Sequence, residues 1–183
     1  MDFNFILNYL KDGSSAISAR NAEENILKVP GLYSIFIDNP ENFKATFITD
    51  YLIKKNIRII YLGKATKSLK ERLVDEDLRH KKPSTFFRAI GTVLNYSPLK
   101  GSLNGFNNQN NYKFTRDATT EIINWINDHL SVRQISLSLR EIEDYEPSAI
   151  DAIRPPFNTR HNLEALPELA ALRKRSREIA QGK

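Results

Sequence analysis

The chain has 183 residues, 40% of them hydrophobic and 10% aromatic, enough for one globular domain with a sizeable core and too short for a second full domain. It has no cysteine, which excludes a disulfide framework, a thiolate metal site and a thiol nucleophile, and suits a reducing compartment. Its net charge is +5, and no window approaches about 18 uninterrupted apolar residues, so the expectation is a soluble cytoplasmic protein with no secretion signal or membrane span.

Phe3, Ile6, Leu7 and Leu10 recur at i, i+3, i+4 and i+7, which predicts an amphipathic helix over residues 2–11 that ends near Gly13. Asn21 and Glu24 have the spacing of a capping box for a short helix through Leu27, and Pro30-Gly31 breaks the chain after it. Residues 31–37 then alternate with period two, Tyr33, Ile35 and Ile37 on one face and Leu32, Ser34 and Phe36 on the other. Residues 57–62 repeat that pattern, and the two strands are expected to pair antiparallel across an intervening segment at Thr46–Ile53. Tyr33 and Tyr61 then sit on neighbouring strands.

Gly63 ends the second strand in this reading, and a helix from Lys67 or Ser68 buries Leu69, Leu73 and Leu78 with Arg72 in its first turns. A further helix runs from Ser84, a natural N-cap, to Asn95. Residues 97–113 are rich in Gly and Asn and read as a long loop of the functional or mobile kind. Ala118–Leu130 is helical, with Ile122, Trp125, Ile126 and Leu130 in one stripe, and Ile135, Leu137 and Leu139 alternate with serines as a third strand. Pro147 at the first helical position predicts a short helix from Glu146 to Arg154, stopped by Pro155-Pro156. The last helix starts near Pro167 and is basic at its end. The expected fold class is α+β: a three-stranded antiparallel sheet flanked by helices, in one domain over residues 1–183. Its core lies at residues 31–80 and 132–162, with a helical insertion at 83–130 and a basic C-terminal helix at 165–183.

Charge is unevenly spread along this order. Residues 54–82 hold ten Lys and Arg against four Asp and Glu, residues 154–183 seven against three, and residues 121–146 two against six. Basic blocks match a phosphate backbone, whose condensed counterions they displace, although charge runs of this length are more often solvated helix faces.

Gly31-Leu32-Tyr33, Tyr61-Leu62-Gly63-Lys64-Ala65, the helix bearing Arg72, and Glu146 followed by Arg154-Pro155 and Asn158 together resemble the GIY-YIG nuclease superfamily. The resemblance covers residues 31–80 and 132–162. It implies a metal-dependent endonuclease that hydrolyses DNA with a water nucleophile and one divalent cation, Mg²⁺ or Mn²⁺. Glu146 is then the metal ligand, its ionised form favoured by a helix N-terminus, and one carboxylate suffices because magnesium keeps several waters. Arg72 binds the scissile phosphate, and Tyr33 and Tyr61 orient or deprotonate the water, with the choice of base left open. Lys64 stands where it could lower the phenol's pKa. The implied partner is DNA, with RNA and the oligomeric state left open. Lys67, Ser84, Arg88 and Arg154 join the nucleic-acid-binding set, Ser84 and Arg88 as a phosphate seat at a helix start. Asn158 is placed with them, expected to tie the Glu146 helix to the sheet.

Two departures stand out. Tyr33 and Tyr61 are 28 residues apart, wider than in compact members and nearer the restriction-enzyme members. Where members often carry His or Tyr one turn after the arginine, this chain has Glu76, with His80 one further turn along as a substitute acid, base or phosphate contact. A catalytically silent nucleic-acid-binding module on the same fold is the competing reading, weakened by the joint presence of both tyrosines, Arg72 and Glu146. A small-molecule phosphate enzyme ranks below both, for want of a Gly-rich phosphate loop.

Overall fold

The computed structural model describes residues 1–183. In chain order the regular elements are α1 (Phe3–Lys11), β1 (Ile17–Ser18), α2 (Ala22–Asn25), β2 (Gly31–Ile37), α3 (Thr46–Lys55) and β3 (Ile59–Ala65). A π-helix (Lys70–Leu78) follows, then α4 (Thr85–Val93), α5 (Arg116–His129), β4 (Leu130–Ser136), α6 (Leu139–Ile153) and α7 (Pro167–Ala180). No helix is long and apolar enough to cross a membrane.

The sheet is antiparallel in the order β1-β4-β2-β3. It has four strands where the sequence pattern predicts three, because the two-residue β1 adds to the far edge of β4, with Ile17 opposite Val132. Two residues are too few to show period-two alternation, so this strand carries no signal of its own. β2 is central and all seven of its residues are buried, which requires cover on both faces. Tyr33, Ile35 and Ile37 pack with Phe86, Ile122 and Ile126 in the larger core, and Leu32 and Phe36 pack with Ile6, Leu10, Ile142 and Ile150 in the smaller one. The alternation read from residues 31–37 thus assigns each side chain to the correct layer. The one polar member, Ser34, satisfies its buried hydroxyl by donating to the Leu10 carbonyl at 2.7 Å.

Several boundaries move. β3 begins at Ile59 because α3 ends in a left-handed Asn56 (φ 51°), and it continues through Gly63 to Ala65. Gly63 lies opposite Tyr33 in the ladder, and a Cβ there would be driven into the Tyr33 ring; this close approach demands glycine inside the strand. β4 ends at Ser136 and Leu139 is helical, because Ser138 and Glu141 form a capping box: Ser138 Oγ accepts from the Glu141 amide at 3.4 Å, and Glu141 Oε2 accepts from the Ser138 amide at 2.9 Å. α6 is therefore 15 residues long with Pro147 inside it. Asn21, by contrast, caps α2 with no side-chain bond. Ser84 does cap α4, its Oγ accepting from the Phe87 amide at 3.0 Å.

The chain after α6 closes the outer edge of β3. Phe157 donates its amide to the Ile60 carbonyl at 3.0 Å, and Asn158 accepts from the Leu62 amide and donates to the Leu62 carbonyl, both at 2.8 Å. An exposed strand edge is thereby paired, which removes a template for edge-to-edge association.

Candidate active site

Three elements converge on one face. β3 brings Tyr61 and Lys64, the π-helix brings Arg72 and Glu76, and α6 brings Glu146. With Lys67 they line a cleft of about 450 Å³. A second lobe of about 440 Å³ shares Tyr61, Lys64, Arg72 and Glu146 with the first and adds Thr85, Arg160, His161 and Arg173. The first lobe's wall balances Lys64, Lys67 and Arg72 against Glu71, Glu76 and Glu146. The second adds arginines without further acids. Positive charge is therefore in excess chiefly in the second lobe, while the first is balanced.

Glu146 is half-buried in the middle of α6, not at a helix N-terminus, so the helix dipole gives its carboxylate no help. Its neighbour Pro147 has no N–H, and the Glu143 carbonyl has no i+4 donor in that turn. The carboxylate is instead held by Lys64, Nζ to Oε2 at 2.7 Å, with the Glu146 side chain 15% exposed. Lys64 therefore serves the acid. It does not ease ionisation of Tyr61, whose pKa is pushed up, first by burial and then by the Asp77 charge, against a downward pull from Arg72. No group of three or more His, Cys, Asp or Glu is arranged to hold a metal. Glu146 as a single carboxylate ligand, with Glu71 and Glu76 elsewhere on the wall, does fit magnesium, which takes one or two protein carboxylates, substrate phosphates and several waters.

Tyr33 does not reach the cleft. It is fully buried, and its hydroxyl donates to Asp77. Burial first, then the Asp77 and Tyr61 charges, raise its pKa well above the usual phenol value. Its ring lies 6.3 Å from that of Tyr61. The two tyrosines thus divide between a cleft wall and a support behind it.

Asp77 organises that support and was invisible in the sequence pattern. It is 0% exposed and accepts three hydrogen bonds: from Tyr33, from Arg72 Nη1 at 2.7 Å and from Ser84 Oγ at 2.6 Å. Burial raises its pKa, offset in part by Arg72 and by the Ser84 and Tyr33 hydrogen bonds. Arg72 Nη1 also donates to Glu76 at 2.9 Å. Burial alone would lower the Arg72 pKa, yet the neighbouring tyrosines and carboxylates outweigh it and hold the guanidinium charged. Both carboxylates take the same nitrogen, which leaves Nη2 and Nε free of acids. Asp77 follows Arg72 by five residues, about 140° away on an α-helix at 100° per residue, so α-periodicity places it on another face. The wider π-helical turn, with its i→i+5 bonding such as Arg79 N–H to the Val74 carbonyl, brings positions 72 and 77 together. A run of three acids, Asp75-Glu76-Asp77, in an otherwise basic block was the only available hint.

The same turn removes His80 from the cleft. The π-helix ends at Leu78, His80 takes a left-handed backbone (φ 51°), and its ring stacks on Phe87 with centroids 4.3 Å apart. Burial first and the Arg88 charge second push its pKa down to about 4. Ser84 is 1% exposed and spends its hydroxyl on Asp77 and the α4 cap, so it offers no phosphate seat. Arg88 is 5% exposed and lines a different cavity, with His80. Arg154 turns from the cleft to Glu164 and Asp151, on a left-handed backbone at φ 55°. Asn158 borders the second lobe, but both ends of its amide are engaged by Leu62, so it is a clamp on β3. Lys67 is exposed at the cleft.

A sequence model of the family described as the GIY-YIG catalytic domain matches residues 31–177. The match runs through residues 83–130 and into α7. No curated protein and no solved structure matches the chain.

Proposed function

The chain belongs to the GIY-YIG catalytic domain family, and from that premise we propose that it is a divalent-metal-dependent endonuclease hydrolysing phosphodiester bonds of DNA, with water as the nucleophile. The observation that carries this reading is the convergence of Tyr61, Arg72 and Glu146, from three separate elements, on one cleft. A binding module needs only a basic surface; a buried scaffold of Tyr33, Asp77 and Ser84 behind one arginine is what orienting a guanidinium at a reacting phosphate requires.

In this reading the DNA backbone lies along the two-lobed cleft. Arg72 presents the nitrogens not taken by Glu76 and Asp77 to the scissile phosphate, a fork that matches two phosphoryl oxygens and stabilises the added charge of the transition state. Tyr61 stays neutral, its ionisation opposed by burial and by Asp77, and its phenol oxygen orients the attacking water. Lys64 positions Glu146. Glu146 would hold Mg²⁺ or Mn²⁺, which when bound supplies the Lewis acid for a phosphoryl oxygen. Arg160 and Arg173 contact phosphates further along the strand. The absence of cysteine suits an enzyme working in the reducing cytoplasm.

The test is incubation of supercoiled, linear duplex, branched and single-stranded DNA with Mg²⁺ or Mn²⁺, using wild type, Glu146→Ala and Arg72→Ala. Wild type is expected to cut at least one substrate, and each variant to lose about 100-fold or more. If no substrate is cut, or if Glu146→Ala cuts as wild type does, the proposal fails.

A further inference from the structure

Away from the cleft, the 97–113 segment packs on α4 through Tyr112, whose hydroxyl meets Thr92 and the Arg88 carbonyl, and with residues 80–83 it lines a recess of about 540 Å³. It shares no wall residue with either lobe of the cleft. Its size suits a ligand of a few hundred daltons. No acid lines it, while His80, Lys81, Lys82, Arg88 and Lys113 do. Lys81 is neutralised by Asp75 at 2.8 Å and Lys82 faces Glu71 at 3.6 Å, but Arg88 and Lys113 have no acidic partner anywhere in the protein.

Arg88 is the most informative of these groups. It is 5% exposed, so it has given up almost all its hydration. In return its guanidinium has only the Thr85 hydroxyl at 3.5 Å and the Tyr112 ring, 5.7 Å from centroid to Cζ, while Nη1 has no partner at all. Burial pushes its pKa below the ordinary guanidinium value. A buried cation without a counter-charge is costly to the fold, and an anionic ligand would relieve that cost. His80, in the same wall, likewise leaves Nδ1 unpartnered. Amide groups of Asn108 and Asn111 complete the polar lining, and Phe106, 59% exposed, presents a bare aromatic face at the same cavity.

An uncompensated buried arginine, an unpaired lysine, side-chain amides and an exposed aromatic ring in one recess combine the requirements of a nucleotide: an anion seat, hydrogen-bonding groups and a stacking platform. We propose that this cavity is a nucleotide site distinct from the catalytic cleft, which takes one nucleotide of an unpaired strand of the substrate, its phosphate on Arg88 and Lys113 and its base against Phe106. The inference rests on nucleic acid being the substrate. It adds a second grip on the strand, at residues that follow the C-terminal end of the π-helix, and it gives the 97–113 segment a function. The aromatic contact accepts any base, so the site favours strand state over sequence.

The probe is a 5′-phosphorylated single-stranded trinucleotide in metal-free buffer, titrated into the full chain by calorimetry and by amide spectra. Thymidine 5′-monophosphate and a blunt duplex serve as the comparison arms. The trinucleotide is expected to bind and to shift the amides of residues 106–113. Lys113→Ala and Phe106→Ala, both at exposed side chains, should each weaken it about tenfold, as loss of one charge-assisted bond or one stacked base does. Arg88→Lys should also weaken it, since an ammonium cannot reproduce the fork. Glu146→Ala, which disables the proposed catalysis, should bind the trinucleotide as wild type does, so a failure of the nuclease reading and a failure of this site give different patterns. If Lys113→Ala and Phe106→Ala bind as tightly as wild type, or if the shifts fall only on Lys67 and Arg72, the site is refuted. If the monophosphate binds and the trinucleotide does not compete with it, the cavity serves a free nucleotide and the assignment to the substrate strand is overturned.

Discussion

Replacing Asp77 by asparagine probes the buried polar knot behind the cleft. The carboxylate accepts from Tyr33, Arg72 and Ser84 and is 0% exposed. An amide has one acceptor oxygen in place of two and turns two N–H donors toward groups that already donate, so at least one of the three loses its acceptor and Arg72 loses its buried counter-charge. An orphaned buried donor costs about 1–3 kcal/mol, and removing one partner of a buried ion pair about 3–5 kcal/mol. The second range is an upper bound because the Arg72 side chain is 27% exposed and keeps Glu76. A loss of about 3 kcal/mol is expected, which in a chain of this size lowers the melting temperature by about 6–12 °C. Calorimetry or urea denaturation measures it, and the double variant Arg72→Met with Asp77→Asn should recover about 1–3 kcal/mol of the sum of the single losses. Cleavage should fall as well, because Arg72 loses the group that aims it. A variant that melts within about 2 °C of wild type and cuts at the wild-type rate would refute the role assigned to Asp77.

Other expectations follow from the same geometry. His80 has a folded pKa of about 4 against an ordinary value of 6.5, so the neutral ring contributes stability that is present above pH 6.5 and lost as pH falls toward 4; at pH 5 the loss is on the order of 2 kcal/mol, and the wild-type stability should drop more steeply from pH 7.5 to 5 than that of His80→Phe in parallel urea titrations. Asn158→Ala strips the two partners of the Leu62 backbone at a buried edge and should cost about 2–4 kcal/mol, with faster hydrogen exchange in β3 as the local readout. Pro147→Ala restores an N–H inside α6 and should stabilise by about 1–3 kcal/mol; a destabilised variant would show that the proline's position is compensated by packing. Arg72→Lys keeps the charge but loses the fork, and cleavage should fall about 100-fold at unchanged fold, whereas a nearly active lysine variant would reduce Arg72 to a point charge.

Several elements were legible because their signals are local. Helical spacing at Phe3, Ile6, Leu7 and Leu10 and period two at residues 31–37 follow from backbone geometry, and both appear with the faces as read. Gly63 was misleading: its residue type reads as the end of a strand, yet it lies inside β3 and is small because Tyr33 crosses it. Ser138-x-x-Glu141 was an equally local signal for the start of α6, but Pro147 at a helix-start spacing competed with it, and a proline inside a helix was the less expected outcome. The two-residue β1 exists only because β4 offers it an edge.

By itself, then, the sequence determined the order of most elements, the layer to which each side chain of β2 belongs, and the family, through residue types at spacings that short-range geometry makes meaningful. Only the tertiary structure decided which charges meet. The π-helical turn joins Arg72 to Asp77 and carries His80 away, Lys64 closes on Glu146 across two elements, and Tyr33 and Tyr61 part company between interior and cleft. Those pairings depend on the local helical twist and on packing between segments far apart in the chain, and neither quantity is written in local periodicity.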